Sequence, residues 1–244
     1  EIRHIDWNVT ARLNQPFIKQ YVEERELTIM LVVDLSASGT FGSGEQTKRD
    51  LAAEVAALLA FAAQRNNDKV GLTLFTERVE KYVAPAKSNR HVLRLVRDIL
   101  DHTPDHRGGD LRHALQHLQK TFRRRAVMVV LSDFLDPLPV SALQQARRRH
   151  DVIAIQITDL HEEKLPTLGR ITIEDAETGE VGEVTLRSEE ELSAFSRQQA
   201  HAQEELEQQL SGIGIDHIRL RTNESYILGL SKFFRTRIER QRRT

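Results

Sequence analysis

Three runs of this chain, LTIMLVVD (27–34), AVMVVLSD (126–133) and DVIAIQITD (151–159), are apolar almost throughout, and each closes on an aspartate. A strand with one wet face alternates polar and apolar residues, whereas a strand covered on both faces has no polar face to offer. These runs therefore predict buried strands of a mostly parallel sheet. Longer stretches stand between them: TKRDLAAEVAALLAFAAQRN (47–66), SNRHVLRLVRDIL (88–100), DLRHALQHLQKTF (110–122) and PVSALQQARRRH (139–150). Their Leu, Val and Ala recur three and four positions apart, the period of a helix with one buried face. KVGLTLFT (69–76) and VEKYVAP (79–85) add two strands joined by a tight polar turn. A long helix (188–210), a strand IDHIRLRT (215–222) and a basic final helix complete the alternation. The pattern is that of an α/β domain built from βα units. ITIEDAETGEVGEVTL (171–186) breaks it as a small antiparallel hairpin turning at 177–179. The expected organisation is an N-terminal extension (1–26), one domain (27–238) with a hairpin excursion at about 170–186, and a basic tail (239–244).

A chain of 244 residues can bury one sizeable core. Its 35 basic and 36 acidic residues leave a net charge of −1, so no overall field draws it to nucleic acid or to an anionic membrane, and neither is an expected partner. The absence of Cys removes disulfides, thiolate zinc sites and Cys nucleophiles, and fits the reducing cytoplasm, the expected location. No run approaches the roughly 20 apolar residues that span a bilayer, and EIRHIDW is no signal peptide. The chain opens without Met, as a piece of a longer polypeptide would, and an anchor in such a missing part stays open.

Ligands of open parallel sheets sit beyond the carboxyl ends of the strands, which is where Asp34 and Asp133 fall. The loop GTFGSGEQT (39–47) has the glycine spacing of a phosphate-binding loop between a strand and a helix. Glu45, however, stands where that motif needs Lys, and a carboxylate there repels an anion. A serine-nucleophile elbow fails as well, because VDLSASG lacks its first glycine and no His is placed near Ser36 or Ser38. Two readings remain. Asp34, Ser36 and Ser38 alternate, so in an extended loop their oxygens turn to one side, a weakly charged set suited to Mg²⁺ or Mn²⁺, with Asp133 as a second acid. Alternatively the three residues form a polar turn that caps the following helix.

DLSAS (34–38) after the first strand resembles the D-x-S-x-S signature that begins a metal-ion-dependent adhesion site in von Willebrand factor A domains. RHIDWNVTAR (3–12), EEREL (23–27) and SDF (132–134) narrow the resemblance to the domain of unknown function 58 family, within that A-type class. The resemblance implies a mostly parallel six-stranded central sheet with helices on both faces and one Mg²⁺ or Mn²⁺ ion at its top edge. Carried over by position, Asp34, Ser36 and Ser38 are first-loop ligands, directly or through water, and Asp133 is the last-loop acid. The chain departs from the pattern in RGGDL (107–111), where Gly109 takes the place of a ligating Thr; the loss of one neutral oxygen weakens a site unless Asp110 or Thr103 compensates. The resemblance further implies a non-enzymatic protein-binding adaptor, working with a MoxR-type AAA+ ATPase and offering the ion's vacant position to a partner's Glu or Asp. Two competing classes are Mg²⁺-dependent phosphoryl transfer through Asp34 and Asp133, and a scaffold with a degenerate ion site. An aspartate-nucleophile enzyme wants a second acid two residues after Asp34, where Ser36 stands.

Other features have plainer readings. His113 and His117 lie four apart, with His102 and His106 upstream, but Leu111, Ala114, Leu115 and Leu118 form the buried stripe and turn both helical His toward solvent, away from a zinc role. Trp7, the only Trp, reads as an anchor for the N-terminal extension. The Arg-rich end suits the negative pole of its own helix, and the RRR triplets at 123–125 and 147–149 read as solvated.

Overall fold

A computed structural model describes residues 26–164, 169–174, 176, 178–186 and 189–241. Residues 1–25 of the expected N-terminal extension, with Trp7 and the 3–12 motif, lie outside the described residues, as do Glu177 and the last three residues of the tail.

The chain runs β1 (Thr28–Asp34), α1 (Lys48–Arg65), β2 (Lys69–Phe75), β3 (Val79–Ala86), α2 (Asn89–Asp101), α3 (Leu111–Thr121), β4 (Val127–Ser132), α4 (Val140–Arg149) and β5 (Asp151–Thr158). It continues through the short α5 (Leu160–Glu163), β6 (Gly169–Glu174), β7 (Val181–Leu186), α6 (Glu189–Gly212), β8 (Asp216–Arg221) and α7 (Tyr226–Gln241). Six strands form the central sheet in the order β3-β2-β1-β4-β5-β8, with β3 alone antiparallel to its neighbour. β6 and β7 pair only with each other, which is the expected hairpin. The expected basic tail begins as the last turn of α7.

The apolar runs are continuous because both faces of the sheet are covered. Leu31 and Val33 point into one core with α1, α2 and α7, while Met30 and Val32 point into the other with α3, α4 and α6; all four are fully buried. β4 and β5 divide in the same way, Val129 and Leu131 against Met128 and Val130, and Ile153 and Ile155 against Val152 and Ala154. α1 lies close to the sheet because its buried stripe is largely alanine. Its start is set by a capping box, in which Thr47 accepts from the Asp50 N–H and Asp50 accepts from the Thr47 N–H.

Parallel pairing of β1 with β2 and β4 brings Asp34 level with Phe75 and just past Leu131, so the loops that follow these strands open at one edge. On the far side of β1, Gly71 admits the side chains of Met30 and Pro85: a Cβ there would lie 2.8 Å from Pro85 Cγ and 2.9 Å from Met30 Cε. Gly71→Ala is expected to destabilise the fold by about 1–3 kcal/mol through overpacking against the proline ring. Urea unfolding measures it, and a change near zero would mean that β2 and β3 part freely.

Candidate functional site

The carboxyl edge is assembled from four loops. Asp34, at the end of β1, is held at both oxygens: Oδ1 accepts the Ser36 N–H at 2.9 Å, and Oδ2 accepts the Ser132 hydroxyl at 2.7 Å. The chain then closes a short 3-10 turn, Ala37–Thr40, through the Gly39 N–H to the Ser36 carbonyl. The expected extended loop is thus a tight turn, because Asp34 captures the Ser36 N–H at its start. Ser36 and Ser38 still converge, their hydroxyl oxygens 3.1 Å apart. They do not cap α1, which has its own cap at Thr47.

The middle loop joins through two backbone bonds, the Ala37 N–H to the Arg107 carbonyl and the Asp110 N–H to the Thr76 carbonyl. Gly109 sits directly over the site: a Cβ there would lie 3.6 Å from Asp34 Oδ2, 3.5 Å from Ser36 Cβ and only 2.6 Å from Asp136 Oδ2. Residue 109 is a glycine where the resemblance implies a threonine, and the space that a side chain there would take is occupied by a carboxylate of the last loop. Asp110 does not make up the lost oxygen, since its carboxylate caps α3 at the His113 N–H and pairs with the His113 ring. Thr103 is exposed, and it is Asp136 that stands at this place.

The last loop turns sharply after Ser132. Phe134 has a φ of 55°, a left-handed conformation costly for a bulky side chain, and its N–H bonds the Ser132 hydroxyl at 3.1 Å. The turn leaves Leu135 exposed and carries Asp136 back over Gly109. Asp133 lines a small pocket shared with Asp34, Ser36 and Lys48, and its carboxylate is already engaged. Its Oδ2 receives the Lys48 ammonium at 2.7 Å, and its Oδ1 receives the Leu135 N–H at 3.3 Å. Lys48, in the first turn of α1, is 2% exposed and also donates to Glu162 Oε1 at 2.5 Å. Burial pulls the lysine toward its neutral form, but the charges of Asp133 and Glu162 outweigh it and hold the ammonium above the ordinary lysine pKa. Burial pushes Glu162 up. Asp159, also buried, is lowered to about 2, because its bonds from the Ser43 N–H, the Thr222 hydroxyl and the His161 N–H outweigh desolvation; it straps the glycine loop to the ends of β5 and β8.

Among the described residues Asp34 has no such cation. Burial first, and the Asp133 charge second, raise its pKa to about 6 against the bonds from Ser36 and Ser132. A cleft of about 200 Å³ opens beside it, walled by Asp34, Gly109, Ser132, Phe134, Asp136 and Leu138. Among the described residues no three His, Asp or Glu converge as a metal cluster, so a cation here rests on Asp34 with hydroxyl oxygens and at most Asp136 beside them. That oxygen set fits Mg²⁺ or Mn²⁺, which take carboxylate and hydroxyl ligands and retain water. Asp133 fits only as an outer group while it holds Lys48. The hairpin reaches this edge too, with Arg107 Nη1 3.0 Å from where a side chain at Gly179 would begin. His113 and His117 remain apart from the site, the first on Asp110 and the second against the Tyr82 ring.

Sequence reasoning missed Lys48, Glu162 and Asp136. A signal for Lys48 was present: it lies three, four and seven positions before Leu51, Ala52 and Val55, on the buried stripe of α1.

The family model described as "Protein of unknown function DUF58" matches residues 1–205. The chain belongs to this family. Uncharacterized protein Rv1480 of Mycobacterium tuberculosis is 32% identical over 244 residues, covering 97% of this chain and 75% of the relative. Uncharacterized protein MAV169 of Mycobacterium avium is 30% identical over 160 residues, covering 63% of this chain and 92% of its own. The sheet order and the helices on both faces are von Willebrand factor A-like. Similar folds occur in the conserved hypothetical protein BatB of Bacteroides thetaiotaomicron, with a TM-score of 0.54 and 12% identity over 87% of this chain and 99% of that one. An aerotolerance-related membrane protein of Bacteroides fragilis gives a TM-score of 0.56 at 16% identity over 80% of this chain and 92% of its own. Among the described residues of the present chain, no helix is long and apolar enough to cross a membrane.

Two outcomes follow from the charges at this edge. Lys48→Met strands the buried carboxylate of Asp133 and the half-buried one of Glu162 and is expected to cost about 3–5 kcal/mol in urea unfolding at neutral pH; a cost under about 1 kcal/mol would mean that water already screens the group. Asp34 has a folded pKa of about 6, above its ordinary 3.8, so the folded state binds the extra proton and stability falls as pH rises through that window. In chelator-treated buffer Asp34→Asn should remove this fall, worth of order 1–3 kcal/mol, and so gain on wild type between about pH 4 and pH 7. Parallel pH profiles for the two proteins would contradict it.

Proposed function

We propose that this domain is a non-enzymatic protein-binding module that captures an acidic side chain of a partner through one divalent ion, Mg²⁺ or Mn²⁺, at the Asp34 edge. Asp34, Ser36 and Ser38 would hold the ion directly or through water, Asp136 would serve in place of the family's threonine, and Asp133 would act from the outer side. When bound, the ion supplies an open coordination position for a Glu or Asp from outside. The observation that carries the reading is the half-buried carboxylate of Asp34 in the wall of a cleft, with no cation paired to it among the described residues, next to two serines whose hydroxyls converge. Such a group is costly without a cation and favourable with one. Exposed Leu135 and Phe41, on the two loops that supply these groups, suit a protein contact around an acidic anchor.

The wider role proposed with it is the one the sequence resemblance implies: a cytoplasmic adaptor working with a MoxR-type AAA+ ATPase. The chain's own residues then supply orientation and charge, and no proton transfer is asked of them.

Calorimetric titration of Mg²⁺ and Mn²⁺ tests the site. Asp34→Ala should abolish binding, and Asp136→Ala should weaken it by about tenfold, the worth of one charged ligand. Asp136→Ala with Gly109→Thr should recover part of that loss, because the hydroxyl then has the space that Asp136 vacates. Ion affinity unchanged in Asp34→Ala would end the metal reading. ATPase capture that persists in chelator would end the ion's part in partner binding.

A further inference from the structure

The opposite end of the sheet gathers positive charge. α3 and α4 pack against each other on one face and both run against their strands, so their C-termini meet where β4 and β5 begin. This brings Arg123, Arg124 and Arg125 beside Arg147, Arg148 and Arg149, with Lys120 close by; all seven are exposed. Arg147 donates to the Gly214 carbonyl at 2.6 Å, and none of the seven has an acidic partner among the described residues. Two helix C-termini account for a cation or two apiece, and seven with no carboxylate among them exceed that.

Between the helix ends lies a groove of about 560 Å³ whose walls include Gln119, Lys120, Gln145, Arg148, Arg149 and His150, and no acid. His150 is 3% exposed and stacks on Phe122 with ring centroids 5.9 Å apart. Both of its ring nitrogens, and Nε2 of Gln119, are buried with no hydrogen-bond partner. Burial and the Arg149 charge lower the His150 pKa, so the ring is neutral and keeps one N–H to donate. Buried donors left unpaired cost about 1–3 kcal/mol each, so two of them in the wall of a cationic groove point to an absent acceptor.

We propose that this groove is a second binding site, which takes a phosphomonoester dianion between Lys120, Arg148 and Arg149, with Gln119 and His150 as neutral donors. Guanidinium forks match phosphate oxygens in pairs, and a doubly charged group with three terminal oxygens uses the whole donor set, whereas a carboxylate leaves most of it idle. The group arrives on a soluble phosphorylated molecule or as a lipid headgroup, and the two sources share this chemistry. The site is independent of the ion edge.

The test uses the whole chain with two probes: inorganic phosphate, followed by calorimetry against acetate at matched ionic strength, and phosphatidylcholine vesicles doped with phosphatidic acid, followed by co-sedimentation. Arg148→Ala/Arg149→Ala alters only exposed side chains and should weaken either interaction by at least about tenfold while leaving thermal unfolding in place. Phosphate binding without sedimentation assigns a soluble ligand; sedimentation that phosphate competes away assigns the headgroup. The proposal fails if neither probe binds, if acetate matches phosphate, or if the double variant binds as wild type does.

Discussion

Everything at the carboxyl edge hangs on the ammonium of Lys48. It sits in the first turn of α1, out of reach of water, and takes two carboxylates from loops that follow β4 and β5. Three elements distant in sequence are thereby joined at one point. Removing an ammonium from water costs several kcal/mol, returned only where its partners are close and well aligned, so the ion pairs fix geometry more than they add stability. In the last loop Asp133 is committed to that ion pair, the Phe134 N–H to the Ser132 hydroxyl, and Asp136 lies over Gly109.

The two aspartates that end neighbouring strands are consequently unlike. Asp133 is neutralised from within the protein, while Asp34 has no cation among the described residues and holds hydrogen bonds from Ser36 and Ser132. An edge with two compensated acids would be inert, and one with two bare acids would strain the fold. Here the half-buried charge of Asp34 is left for the outside to satisfy.

Much of the fold could be read in advance. The unbroken apolar runs of β1, β4 and β5 imply cover on both faces, and the structure divides Met30 and Val32 from Leu31 and Val33 accordingly. The helices followed from their periodicity. What escaped depends on contacts between loops: nothing local in TKRD says that Lys48 meets Asp133 85 positions later, and nothing in SDFLD says that Asp136 fills the place of a side chain missing from residue 109. The same is true of the two arginine triplets. Each reads as the solvated end of its own helix, and only the pairing of β4 with β5 sets them side by side.

The hairpin of β6 and β7 forms a sheet of its own, and β5 pairs directly with β8 across the interruption. Its turn at Gly179 rests against Arg107, whose carbonyl secures the first loop. One flank of the aspartate edge is therefore fenced. A broad, flat surface is kept at a distance, and a slim protruding segment has the shape that reaches the recess.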